Sequence, residues 1–123
     1  MSRLTADYTS MVNALAKDGE DILATLTPDK AHAIHMSLGV AGEAGELVDE
    51  VKKWVAYDRP ADTEFLARVI KEMGDLEFYL EGLRQGLCIT RKEVLESNIE
   101  KLSERYKDFS YSDKAANERV DVK

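Results

Sequence analysis

The sequence predicts an all-α protein, an antiparallel bundle of about four helices with a partly ordered C-terminal tail. Three observations predict it. Apolar residues recur at three- and four-residue steps in four successive segments, Pro28, Pro60, Gly19 and Gly86 fall at the joints between them, and no segment alternates as a strand would. With 123 residues there is material for one core and not two, so residues 1–106 read as a single domain and 107–123 as a polar tail.

In the first segment Leu4, Tyr8, Met11, Val12 and Leu15 form one apolar face that ends near Asp18-Gly19. The stretch from there to Leu26 has no clear period and reads as a loop. Thr27 before Pro28 reads as an N-cap with proline in the first helical position, opening a long helix to about Ala56 that Tyr57-Asp58-Arg59-Pro60 terminates. A third helix runs from near Asp62 to Gln85, with Gly86 placed to take the left-handed conformation that closes it. Thr90 and Glu93 have capping-box spacing and start a fourth, whose Leu95, Ile99, Leu102 and Tyr106 make the expected buried stripe. Beyond Lys107 only Phe109, Tyr111 and Val120 break a polar run, as expected of a tail that docks on a neighbour or frays.

Acids outnumber bases 24 to 17, for a net charge of -7, so the chain as a whole repels a nucleic-acid backbone and nucleic acid is not expected as a partner. A divalent cation held by an acidic cluster reverses that sign locally. No apolar run reaches the ~20 residues of a membrane span and MSRLTADYTS lacks a secretory signal, so the expected location is the cytoplasm, away from membranes. The lone Cys88 makes no internal disulfide and is expected to pack as a small apolar residue near a helix end.

The stretch VAGEAGELVDE puts four carboxylates and two glycines among small apolar residues, a segment that loses helix stability to both glycine and charge repulsion. Set Glu43 at zero on a helical wheel, and an apolar sector including Met36, Val40, Ala44, Leu47, Val48, Val51 and Trp54 spans about 20° to 160°. Glu50 and Glu46 follow at about 340° and 300°, so three acids edge the sector. On the third helix, with Glu72 at zero, Asp75 falls at about 300°, in the same relation to its own apolar sector. Two helices packed antiparallel would bring Glu43, Glu46, Glu72 and Asp75 to one pocket. Gly45 and Gly74, each one residue before the second acid, leave room for a partner helix or a ligand. Two readings stay open here: a divalent-metal site, or the solvated acidic face of a non-catalytic helical interaction module. Oxygen-only donors select Mg²⁺, or Mn²⁺ in its place, over zinc and copper. A di-iron bundle uses Glu-x-x-His on two helices, where here the third-residue partners are Glu46 and Asp75. His35 reads as a buried or supporting histidine rather than a ligand, and Trp54 and Tyr79 as packing residues.

LGVAGEAGELVDEVKK, from Leu38 to Lys53, together with EMGDLEFYL, from Glu72 to Leu80, resembles the MazG-like branch of the all-α nucleoside triphosphate pyrophosphohydrolases. The family's Glu-x-x-Glu and Glu-x-x-Asp pairs fall on Glu43, Glu46, Glu72 and Asp75. SNIEKLSERY is similar to its closing pattern, at Asn98, Lys101, Leu102, Arg105 and Tyr106. Glu77 stands where an apolar residue is usual, Lys107 replaces a proline, and Glu118 is extra. The resemblance implies Mg²⁺-dependent hydrolysis of a nucleoside triphosphate between its α- and β-phosphates, a narrower dUTP- or dCTP-directed enzyme being the variant within the family. It implies the four acids as metal ligands, with Glu43, nearest the apolar border, chosen as general base. Lys53, Asn98, Lys101, Arg105 and Tyr106 are the corresponding nucleotide- and phosphate-binding candidates. Lys53 also suits an ion pair with Asp49 or Glu50, and the cations of the fourth helix suit a solvated face. A homodimer or homotetramer is expected, because so short a chain has little room for both a core and a substrate site.

Overall fold

The computed structural model describes residues 3–118, with side chains from residue 7 onward. Six α-helices follow one another: α1 (Arg3–Leu15), α2 (Gly19–Thr25), α3 (Pro28–Ala56), α4 (Thr63–Gly86), α5 (Arg91–Arg105) and, after a 3₁₀ turn at Lys107–Phe109, α6 (Asp113–Glu118). The described residues hold no strand, as the all-α reading requires. None of their helices is long and apolar enough to cross a membrane. The chain forms two compact units, Met1–Ala31 and His32–Lys123.

In the first unit the stretch read as a loop is instead a helix over Gly19–Thr25. Asp18 has extended backbone and its Oδ1 accepts a hydrogen bond from the Glu20 amide at 3.2 Å, which caps α2. Thr27 caps α3 as predicted, its Oγ1 accepting from the Lys30 amide at 3.2 Å. Tyr8, Met11, Val12 and Leu15 remain exposed, so the predicted α1 face is not covered. Leu4, its first member, lies outside the described side chains, as does Val120 of the tail.

The second unit is built on α3, from His32 on, and α4, which run antiparallel. His32 Nε2 lies 2.9 Å from the Gly82 carbonyl oxygen, an acceptor only, so the ring proton sits on Nε2. Met36 packs at Gly82, Tyr79 at Gly39, Arg68 reaches Glu50, and Trp54 stacks on Phe65 with ring centroids 5.5 Å apart. Each step forward on α3 is matched by an equal step back on α4. Asp62 caps α4 through Oδ1 to the Phe65 amide at 2.8 Å. Gly86 does not close this helix: it is the last helical residue, and Cys88, at φ 58°, takes the left-handed position. Glycine is needed at 86 for another reason, since a Cβ there would meet the His32 ring. Cys88 is exposed rather than packed.

Thr90 caps α5 as the spacing predicts, the Glu93 amide donating to Thr90 Oγ1, while Glu93 Oε1 accepts from that hydroxyl rather than from the Thr90 amide of a full capping box, both at 3.1 Å. The stripe predicted to be buried is not: Leu95 and Ile99 are exposed, and only Leu102 and Tyr106 are half-buried. The tail covers that lower end. It turns at Lys107–Phe109, stacks Tyr111 on Tyr106 with centroids 5.6 Å apart, and continues as α6 packed on α5. Among the described residues only Met36 and Phe65 are buried outright.

Candidate functional site

Glu43 lies on the contact line itself, between the Gly39–Tyr79 and Glu50–Arg68 contacts. The wheel located the acids relative to the apolar sector, but the partner helix meets α3 along the edge of that sector, through Met36, Glu43, Glu50 and Trp54. Carboxylate oxygens of Glu43, Glu72 and Asp75 consequently lie within 4.8 Å of one another. Glu46, the fourth acid of the predicted set, is outside this group and exposed. Glu50 is drawn away from it, its Oε2 accepting from Arg68 Nε at 2.9 Å. Gly42, Gly45 and Gly74 face open space, where a Cβ would touch nothing within 4 Å. The close approaches of the two helices occur instead at Gly39, Gly82 and Gly86.

Glu72 is held above the usual glutamate range. Partial desolvation is the largest cause, followed by a proton shared with the Glu43 carboxylate and the charges of Glu43, Asp75 and Glu46. Glu46 therefore belongs to the same electrostatic cluster although its oxygens stand off. The neighbouring Lys53 is bound at 2.9 Å to Asp49, which raises the lysine and lowers the aspartate from their ordinary values.

Residues 32–110 match the model of the MazG nucleotide pyrophosphohydrolase domain, well over half of the chain. The chain belongs to the MazG nucleotide pyrophosphohydrolase family. No curated protein and no solved structure shows significant similarity to it.

The MazG match takes in α4 and α5 whole, most of α3 and the 3₁₀ turn. Of the remaining candidates, Lys53 makes the ion pair with Asp49 that the sequence offered as its alternative role. Lys101 lines a shallow depression with Ser97, Glu100 and Glu104, and Arg105 lines one with Lys107, Ser110, Ser112 and Lys114. Asn98 is exposed on α5, and Tyr106 caps that helix under Tyr111. Arg105 thus shares its depression with residues of the tail, and Lys101 shares its own with other residues of α5. His35 is exposed, not buried, and meets Tyr79 edge-on at 6.3 Å. Trp54 keeps 42% of its surface in solvent despite its stack on Phe65. Arg68 went unnoticed in the sequence, although its place on the contact face of α4, one turn before Glu72, was readable there.

Proposed function

We propose that this chain hydrolyses nucleoside triphosphates between the α- and β-phosphates, giving the monophosphate and pyrophosphate, with Mg²⁺ as its cofactor. The observation that carries the reading is the convergence of Glu43, Glu72 and Asp75 within 4.8 Å in a chain of this family. The donors suit the ion. They are hard oxygens, and two oxygens on one Mg²⁺ stand at most about 4.2 Å apart, twice the bond length, so a small rotation of the carboxylates closes the difference. Bound there, the cation supplies neutralisation of the triphosphate and a water of lowered pKa.

The protein's own part is mostly positioning. Glu43, Glu72 and Asp75 fix the cation on two rigid helices, and Glu46, exposed beside them, completes the set when the ion is present. Glu43, on the contact line and half-buried, takes the proton of the attacking water. Lys101, Arg105, Asn98 and Tyr106 contact the nucleotide, with Lys53 joining them on leaving Asp49. The working form is a homo-oligomer in the cytoplasm, and neither nucleic acid nor membrane is its partner.

Pyrophosphate release from a panel of ribo- and deoxyribonucleoside triphosphates including dUTP and dCTP, with and without Mg²⁺, tests this. Metal-dependent turnover is expected on at least one member, with Glu46→Gln and Asp75→Asn each lowering it by 100-fold or more while the helical signal persists. Absence of metal-dependent turnover across the panel leaves a non-catalytic helical module as the surviving interpretation.

A further inference from the structure

The two helices that carry the acid cluster also form a cavity. His32 and Met36 of α3 with Phe78, Glu81, Gly82 and Gln85 of α4 line a space of about 480 Å³, within the ~300–1,000 Å³ of pockets that take small organic ligands. Its walls are mainly apolar. Met36 is buried, whereas Phe78 keeps 66% of its surface in solvent, a large ring presented to whatever enters. Two polar groups are held in place beside it. His32 Nε2 donates to the Gly82 carbonyl at 2.9 Å, and Gln85 Nε2 donates to Glu81 Oε1 at 3.3 Å, an amide that still offers a donor and an acceptor.

Helical arithmetic ties this cavity to the acids. With Glu72 at zero, Gly74, Phe78, Glu81 and Gln85 fall between about 180° and 240° and form one row, and Asp75, at about 300°, stands between that row and the line where α3 meets α4. Phe78 is nearly one turn from Asp75, and Gln85 about 15 Å from it along the axis. On α3, Met36 and His32 precede Glu43 by about 10 and 16 Å. A sugar and its α-phosphate fill such a span. Gly74, where a Cβ would touch nothing within 4 Å, keeps the way between cavity and acids open. Charge gives the direction. Beyond the acids, away from the cavity, stand Arg68 and Lys53, paired with Glu50 and Asp49, while at the cavity end Glu77 and Glu81 share Arg84. A polyphosphate therefore runs toward Arg68 and Lys53, and an uncharged ring toward Phe78.

We propose that this cavity holds the base of the nucleotide, stacked on Phe78 with its edge at Gln85, while the phosphate chain lies at Glu43, Glu72 and Asp75. This rests on the nucleotide hydrolysis proposed above and names where the base sits. Stacking on a phenylalanine is open to any base, since every base has a π-face. Affinity for the base then comes from Phe78, and preference between bases from the amide of Gln85.

Calorimetry on the full chain in MgCl₂ tests the proposal with two kinds of probe: inorganic tripolyphosphate, which has no base, and the α,β-methylene analogues of ATP, GTP, CTP and UTP, which present a base and resist cleavage. Phe78→Ala should weaken every analogue about tenfold and leave tripolyphosphate unchanged. Phe78→Trp should restore the analogues. Gln85→Ala should narrow the spread of affinities among the four. Analogues that bind Phe78→Ala as tightly as the wild type overturn the base site, and so does a loss of tripolyphosphate binding equal to theirs, which would mark a merely structural effect. Turnover on the nucleotide panel decides hydrolysis separately. A wild type that binds no analogue overturns the base site, and one that in addition turns over no nucleotide overturns the hydrolytic reading with it.

Discussion

Glu72 makes the cost of the acid cluster measurable. Its pKa is raised in the folded chain, chiefly by desolvation and then by Glu43 and the neighbouring charges, so below that pKa the folded state holds a proton that the unfolded state has released. Folding then binds more protons than unfolding, and stability falls as pH rises from the ordinary glutamate value, near ~4.3, through the raised one. This is the reverse of the usual salt-bridged carboxylate. In metal-free solution Glu72→Gln, which cannot ionise, should therefore melt above the wild type at pH 7 and close to it at pH 4. Melting temperatures of both proteins across that range, in chelator, check this, and a wild type that gains on the variant with rising pH would contradict the shared-proton pair. The residues of the cluster were legible in the sequence because i, i+3 spacing on one helix needs no knowledge of a partner. Their division into a close group of three and an outlying Glu46 was not, since it depends on where the second helix touches the first.

At the level of elements, the caps were the most legible features: Thr27 and the Thr90–Glu93 pair act within one turn, as their spacing predicts, and Asp62, read only as the place where a helix starts, caps α4. The glycines were legible only as anomalies. Sequence reading left room at Gly45 and Gly74, beside the acids, for a partner helix or a ligand; the helices touch instead at Gly39, Gly82 and Gly86, and this depends on interaxial geometry that a wheel leaves free. The two classes should respond oppositely to alanine. At Gly39 a Cβ would run into the Tyr79 ring, a stiff neighbour, so Gly39→Ala should destabilise by about 1–3 kcal/mol despite its better helix propensity. Gly45→Ala and Gly74→Ala meet no atom and should stabilise by about 0.5–1 kcal/mol. Urea unfolding of the three variants at equal protein concentration distinguishes them, and a destabilised Gly74→Ala would mean that something packs where the structure leaves space. The apolar stripe of α5 was misjudged for a related reason: period shows that a face wants cover, and Leu95 and Ile99 show that the wish alone does not supply it.

Across the whole molecule the net charge of -7 opposes compaction, and the acid cluster concentrates part of that repulsion between two helices. A specific divalent ion and general screening would both relieve it, but they differ in what they depend on. Binding to the folded state alone contributes about 2.7 kcal/mol when free ion is a hundredfold above its Kd. For a domain of this size that is a rise in Tm of roughly 10 °C. Screening acts on all the charges, and KCl at equal ionic strength should reproduce it. Wild-type protein melted in MgCl₂ is therefore expected to exceed its own Tm in matched KCl, with the excess saturating as Mg²⁺ is raised. The Glu43→Gln, Asp75→Asn double variant should keep the KCl response and lose the excess. If the variant gains as much from Mg²⁺ as the wild type does, the ion acts elsewhere on the acidic surface and the three convergent carboxylates are not its seat.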